Sequence, residues 1–307
     1  MGKSVFYISK PLQYFNATNI EDFNFKVCII VDHFSGAKEL YNKLLMRKSQ
    51  WDQVVFVQDP KAAYEWMYEH SDIDTIYIDS DVGFLKNKWL YPLRKKQIIV
   101  YEEGLGSYRS DLRPRKVLDL LVELFLNTFG SKSFFGGSVF TKGLVLYDHN
   151  RHQKNIPQFK GRRINFIKPF LAHLSEFKDV DLFVPKELDA LFQRAEGRKV
   201  FIYLTTWLYN SEIDSIIDLY PDHFKMIKPH PHIKEDMSDY ANRFEVLIPN
   251  GVLIEILLAR FGAIAEEVVV AHENSSAMHY FVDNNKFKNL DLSVRKNDHP
   301  YIVGLVR

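Results

Sequence analysis

Short β-branched apolar runs alternate with helix-period segments along most of the chain, and that alternation leaves few folds open. In the first half the runs are "VFYIS" (5–9), "VCIIVD" (27–32), "VVFVQ" (54–58), "TIYID" (75–79), "IIVYE" (98–102) and "GLVLY" (143–147). Apolar side chains on both faces of a strand imply burial on both faces, the mark of a parallel sheet between two layers of helix. Segments such as "SGAKELYNKLLMRK" and "PKAAYEWMYEH" supply the helices. "RPRKVLDLLVELFLNTFG" (113–130) reads as the clearest of them, with Pro114 near its start and Gly130 as its stop. A zone rich in charge and poor in strand runs extends from residue 148 to 198. Alternation then resumes at 199–206, 224–231, 244–250 and 267–276, with "SEIDSIIDLY" and "VLIEILLARFG" as helices between.

The expected fold class is therefore α/β. It consists of two tandem Rossmann-like domains, residues 1–175 and 176–307, in the two-domain layout called GT-B with an interdomain cleft. The 307 residues are enough for two full cores, and 46% hydrophobic with 26% charged residues is globular composition. A net charge of +1 argues against a polyanion or nucleic-acid binder. Basic clusters at 94–96, 113–116 and 160–163 read either as solvated faces or as contacts with an anionic membrane surface. The one cysteine, Cys28, lies in an apolar run, which excludes an internal disulfide and a cysteine metal cluster. Without a charged-then-apolar leader or an apolar run near ~18 residues, the expectation is a cytoplasmic protein.

In open α/β sheets ligands sit beyond the carboxyl ends of the strands, so those ends carry the candidates. "QIIVYEEGLGSY" (97–108) ends a buried run in Glu102 and Glu103. Adjacent carboxylates repel, so either the turn solvates them or one of them handles a proton. "KPHPH" (228–232) sets His230 between Pro229 and Pro231, a stiffened backbone that suits a phosphate contact or a simple turn. Ser275 and Ser276 follow a strand and open a helix, which fits N-capping and equally an anion site. Glu255 interrupts an apolar helix face and needs either ribose-type hydroxyls or a protein partner. "DSD" (79–81) reads as a strand-end turn.

In this order, an acid pair with Gly104, then Lys228 and His230-Pro231, then Glu255, then Ser275-Ser276, the motifs resemble the bacterial GT-B-type sialyltransferases. These include the lipooligosaccharide and capsule enzymes and the polysialyltransferases, and "YISKPLQYFNA" (7–17) is similar to the opening of the lipooligosaccharide group. The pair here is Glu-Glu where Asp-containing pairs are usual, and Pro229 stands where a glycine is common. The resemblance implies inverting, metal-independent transfer of sialic acid from CMP-sialic acid to a lipooligosaccharide, O-antigen or capsule acceptor. CMP-sugar would be a co-substrate, with no cofactor and no metal ligand. It implies that Glu102 is the general base, that Glu103 raises its proton affinity, and that His230 meets the CMP phosphate. Lys228, Pro231, Glu255, Ser275 and Ser276 would bind CMP, while Gln13, Thr205 and Thr206 are further candidates for substrate contact. The implied partners are a CMP-linked nonulosonic acid and a glycan acceptor, lipid-linked at the inner membrane face, with a homodimer possible. Alternatives that keep the same motifs are a CMP-Kdo or other CMP-nonulosonic acid transferase and a non-catalytic nucleotide-binding subunit. A UDP-sugar enzyme predicts a glycine-rich diphosphate loop, and the chain has no convincing one.

Overall fold

The structure is a computed structural model that describes residues 2–110, 134–206, 209–231, 233, 237, 242–273, 275–281 and 284–295. The helix expected at 113–130, with the basic cluster 113–116, lies outside the described residues. The chain divides into two compact units, Met1–Ser175 and Glu176–Arg307.

The first unit holds seven strands: β1 Lys3–Ile8, β2 Phe25–Val31, β3 Gln53–Val57, β4 Ile73–Ile78, β5 Gln97–Tyr101, β6 Thr141–Val145 and β7 Arg162–Ile164. They form one sheet in the order β3-β2-β1-β4-β5-β6-β7, and every pairing is parallel. Its helices are α1 Pro11–Thr18, α2 Ala37–Leu45, α3 Pro60–Glu69, α4 Phe84–Leu90, α5 His149–Asn155 and α6 Phe170–Glu176. The second unit holds β8 Lys199–Leu204, β9 Phe224–Lys228, β10 Val246–Leu247, β11 Glu267–His272 and β12 Phe287–Asp291. They pair, again all parallel, in the order β10-β9-β8-β11-β12. Helices α7 Val180–Phe183, α8 Asp189–Ala195, α9 Glu212–Ile217 and α10 Ile254–Ile264 accompany them.

Why these segments become strands is clear from burial. Val5, Phe6, Ile8, Val27, Ile29, Ile30 and Val100 are sealed from solvent, and so are Val200, Phe201, Ile202, Val268, Val269 and Val270. A strand sandwiched between helix layers has no polar face, which is why these runs are continuous and not alternating. Two strands escape a reading based on apolar runs. β7 is "RRI" and β12 is "FKNLD", and each lies at a sheet edge, where one side is open and polar residues are tolerated.

Strand order reverses between β1 and β4 in the first sheet and between β8 and β11 in the second. At such a switch point the connections leave in opposite directions and open a crevice at the carboxyl edge. The strand ends that matter are thus those of β1, β4 and β5 in one unit, and of β8, β9 and β11 in the other.

On α5, His152 is completely buried and meets Phe159 edge-on, with ring centroids 5.4 Å apart. Burial pushes its pKa down to about 4 against the pull of the Phe135 backbone, and the Arg163 charge adds to the fall. The imidazole is neutral in the folded protein and protonates near 6.5 once unfolded. Stability is therefore present above about pH 6.5 and is lost as pH falls toward about 4, by on the order of 2–3 kcal/mol. Urea unfolding at a series of pH values should show this slope, and His152→Leu should flatten it. A slope unchanged in the variant would assign the acid sensitivity to other groups.

Candidate functional site

At the switch point of the first sheet, Ser9 and Lys10 follow β1 and Asp79 follows β4. Pro11 starts α1 where its missing N–H costs nothing, and this turns Gln13 back over the strand ends. The Gln13 Oε1 accepts from the Ser9 N–H at 2.7 Å, and its Nε2 donates to Asp79 Oδ2 at 2.9 Å. Ser9 Oγ donates to the same Asp79 oxygen at 2.9 Å. On the other side, Lys86 of α4 donates to Asp79 Oδ1 at 3.2 Å and lies 4.6 Å from the centre of the Tyr7 ring. Lys10 pairs with Glu103. Glu103, Lys10, Asp79 and Lys86 thus form a row of alternating charge.

The charges hold one another in the ionised form. Burial works to raise the Asp79 pKa, but Lys86 and Lys10 outweigh it and the carboxyl sits below its usual value. For Lys86, burial alone would lower the pKa, and Asp79 reverses the sign. Lys10 is likewise raised against burial, chiefly by Glu103.

The "DSD" segment is therefore more than a turn. Asp79 is part of the switch-point network, while Asp81 has a structural task. Asp81 is fully buried and accepts from the N–H groups of Gly136 and Ser138, at 3.0 and 2.9 Å, and from Thr141 Oγ1 at 2.6 Å. It ties the loop before β6 to the end of β4.

The two glutamates of the acid pair occupy different environments. Glu102 is 1% exposed. Its Oε1 accepts from the Gly104 N–H at 3.1 Å, and its Oε2 accepts from Tyr108 Oη at 2.5 Å and the Tyr147 N–H at 3.3 Å. Gly104, with φ of 108°, makes the turn that folds the carboxylate back under the following 3-10 turn. Tyr108 is held protonated, its pKa raised by burial and by Glu102. The first carboxylate thus fastens β5 to the ends of two neighbouring segments. Glu103 is half-buried, with its N–H donating to Ser107 Oγ at 2.8 Å and its carboxylate turned to Lys10.

In the second unit, Thr205 follows β8, His230 follows β9, and Ser275 and Ser276 follow β11. Because β9, β8 and β11 are adjacent, these residues line up along one carboxyl edge. The His230 N–H donates to Thr205 Oγ1 at 3.1 Å, and Thr205 Oγ1 donates to the Thr206 carbonyl at 3.0 Å. The His230 ring is half-buried, with Pro231 after it.

At Ser275 the structure corrects one expectation. Ser276–Tyr280 is a 3-10 segment of five residues, too short for aligned peptide dipoles to sum into an anion site. The Ser275 N–H is taken by His272 Nδ1 at 3.1 Å, and Ser275 Oγ caps the segment by accepting from Ala277 N–H at 3.3 Å. Any anion here would be met by the serine hydroxyls. His272 faces Asn289 Oδ1 through its other nitrogen at 2.5 Å, and burial lowers its pKa, so a neutral ring positions the serine turn.

Lys228 and Glu255 are both buried, each 3% exposed. The Lys228 ammonium donates to the carbonyls of Pro229 at 2.7 Å and Asn250 at 2.9 Å, so it joins β9 to the loop before α10. Burial draws its pKa down to about 7, against the pull of Glu255, and burial lifts Glu255 up to about 7. Glu255 stands in the first turn of α10, and its Oε2 is buried without a hydrogen-bond donor among the described residues. A carboxylate oxygen in that position is stabilised when a hydroxyl reaches it. Among the described residues no three His, Cys, Asp or Glu side chains are grouped as a metal ion requires.

Of the candidates read from sequence, Glu103 and Gln13 share one network, and Thr205, Thr206, His230, Ser275 and Ser276 share one sheet edge. Ser9, Lys10, Asp79, Lys86 and His272 were missed as candidates. Their signal is position after a strand, which gains meaning only when the strand order is known.

No protein-family model matches the chain, and no curated protein matches it in sequence. In fold it is similar to the UDP-GlcNAc 2-epimerase of Methanocaldococcus jannaschii, whose crystal structure holds UDP-GlcNAc and UDP. The TM-score is 0.56 at 11% identity, covering 100% of this chain and 93% of that one. The likeness shows the fold: two Rossmann-like α/β domains of GT-B-like architecture.

Removing the central carboxylate of the charge row leaves Lys86 and Lys10 in a buried site without it. Asp79→Ala should destabilise the protein by about 3 kcal/mol, measured by urea unfolding near neutral pH. A loss below about 1 kcal/mol would mean that the row is solvated and contributes as a surface pair does.

Proposed function

We propose that the chain is a nucleotide-sugar enzyme, and within that class an inverting, metal-independent glycosyltransferase. Its donor is CMP-sialic acid or another CMP-linked nonulosonic acid, and its acceptor is a hydroxyl of a bacterial surface glycan. The observation that carries this reading is the line of Thr205, His230, Ser275 and Ser276 along three adjacent strand ends of the second unit. Two hydroxyls and one imidazole suit a single phosphate, the group that leaves from a CMP ester. The orphan oxygen of Glu255 supports a nucleoside ligand, since ribose hydroxyls are donors that such a carboxylate lacks.

In this reaction the acceptor oxygen attacks the anomeric carbon while the bond from that carbon to the phosphate oxygen breaks. The hydroxyl proton passes to a carboxylate, and CMP departs with the bonding pair. Charge grows on the phosphate, where His230 and the serine hydroxyls stabilise it. Direct displacement inverts the anomeric carbon. The resemblance in sequence assigns the proton to Glu102, but the hydrogen bonds around the pair favour Glu103. Glu102 already accepts three hydrogen bonds and is sealed from solvent. A base must come within hydrogen-bond reach of the hydroxyl that it deprotonates, and Glu103 is the more accessible of the two.

Glu103→Gln should lower kcat by on the order of 10²-fold or more with CMP affinity nearly intact. Glu102→Gln should show first as a lower unfolding midpoint. If Glu102→Gln instead loses turnover at unchanged stability, the first carboxylate is the base.

A second reading, a nucleotide-sugar epimerase, draws support from the whole-chain fold likeness to the UDP-GlcNAc 2-epimerase. Nucleotide binding separates the two. Calorimetric titration should show CMP binding in preference to UDP, weakened at least about tenfold by His230→Ala and by Ser275→Ala with Ser276→Ala, about 1.4 kcal/mol or more. Binding of UDP without CMP would overturn the transferase reading in favour of the epimerase.

A further inference from the structure

Glycine occurs twice in "EEGLGSY" (102–108), and the two glycines answer different needs. Gly104 is required by its positive φ. Gly106 has no such φ, so its backbone suits alanine as well, and what it supplies is space. A Cβ built on Gly106 would overlap Glu103 Oε2, while the ring edge of Phe135 lies 3.4 Å from it, an ordinary contact. The Glu103 carboxylate therefore lies over a residue without a side chain, and it is the group that has to move if one is added. Its other oxygen, Oε1, is held by the Lys10 ammonium. The backbone beneath is fixed too. The Glu103 N–H donates to Ser107 Oγ at 2.8 Å, and the Ser107 N–H donates to the Gly104 carbonyl at 3.0 Å. Lys10 in turn stands in one row with Asp79, which Ser9, Gln13 and Lys86 all bond.

The Glu103 and Lys10 side chains are 22% and 29% exposed, so the pair is held by its surroundings and still reachable from outside. A carboxylate kept for stability alone is served as Glu102 is, sealed and given three donors. An anchored carboxylate that stays reachable suits a proton acceptor, because a base works from a fixed position within hydrogen-bond reach of its proton. We propose that Lys10 and Gly106 are positioning residues for the Glu103 carboxylate. Lys10 fixes one oxygen through its charge, and Gly106 leaves room for the other. Their effect on turnover rests on the reading of Glu103 as the base of a glycosyltransferase, whereas the placement itself is measured without any reaction.

The placement is tested by urea unfolding of the full chain in a double-variant cycle. Lys10→Met and Glu103→Gln should be non-additive, the unfolding constant of the double variant rising at least about fivefold less than the product of the single effects. In a Gly106→Ala background that coupling should fall to about twofold or less, because the displaced carboxylate no longer meets Lys10. Gly106→Ala alone should move the melting temperature by less than about 4 °C, since alanine's lower entropy in the unfolded chain offsets part of the lost pair. Activity is then read as transfer from CMP-sialic acid to lactose. Gly106→Ala and Lys10→Met should each lower kcat about tenfold or more, with KM for CMP-sialic acid unchanged within about twofold. Lys10→Arg should keep more turnover than Lys10→Met. In Glu103→Gln, Gly106→Ala should lower kcat no further, since the base is already gone. No coupling between Lys10 and Glu103, or coupling that survives Gly106→Ala, overturns the proposal. So does turnover of Gly106→Ala and Lys10→Met equal to the parent's. The expected coupling in a parent that transfers nothing from CMP-sialic acid upholds the placement and counts against the transferase reading alone.

Discussion

Parallel pairing of strands buried on both faces is the constraint from which the rest of the architecture follows. Such a sheet has no polar face, so its chemistry is displaced to the edges where the strands end. In the first unit that edge gathers Ser9, Lys10, Asp79 and Glu103, and in the second Thr205, His230 and the Ser275 turn. Ser9, Asp79 and Thr205 are buried there, so their polar groups must be satisfied by neighbouring strand ends. The hydrogen bonds from Ser9 and Gln13 to Asp79, and from His230 to Thr205, are that requirement met between adjacent strands.

The acid pair shows how the same residue type divides into two tasks. Backbone pleat sends successive side chains to opposite sides, so Glu102 and Glu103 cannot share an environment. Glu102 turns under the sheet end to Gly104, Tyr108 and Tyr147, and replaces water with three donors. Glu103 turns to Lys10, which is itself held charged by its neighbours. The question raised by two adjacent carboxylates is answered by separation: their repulsion is reduced because each faces its own partners. In the second unit Lys228 and Glu255 are further from that ideal. Both are buried and burial moves both toward neutrality, and Glu255 Oε2 has no hydrogen-bond partner among the described residues.

Helix α4 links the interior to the surface. Asn87 and Lys86 commit one side to Asp81, Ser138 and Asp79, which fixes the rotation of the helix. Phe84, Leu85 and Tyr91 are exposed as a consequence of that rotation, because the inner positions are already occupied. The polar contacts of Lys86 and Asn87, together with the burial of Leu90, decide which face of this helix the molecule presents.

The sequence by itself determined the fold class and most of the strands, because a strand buried on both faces must be a continuous apolar run, and ten such runs are legible. It also located most of the polar strand ends, since a run has to stop somewhere and the residues after it are read directly. The edge strands "RRI" and "FKNLD" were not legible, because an edge does not demand apolar residues on both sides. What only the tertiary structure decided is partnership. Lys10 and Glu103 are 93 positions apart, as Ser9 and Asp79 are 70 apart, and only the order β3-β2-β1-β4-β5 brings their strand ends together. The division of labour between Glu102 and Glu103 was hidden for the same reason: adjacent glutamates look alike in sequence, and Tyr108, Tyr147 and Lys10 distinguish them only after β1, β4, β5 and β6 lie side by side. Strand order is set by helix crossovers and packing across the whole sheet, a property that no local stretch of residues carries.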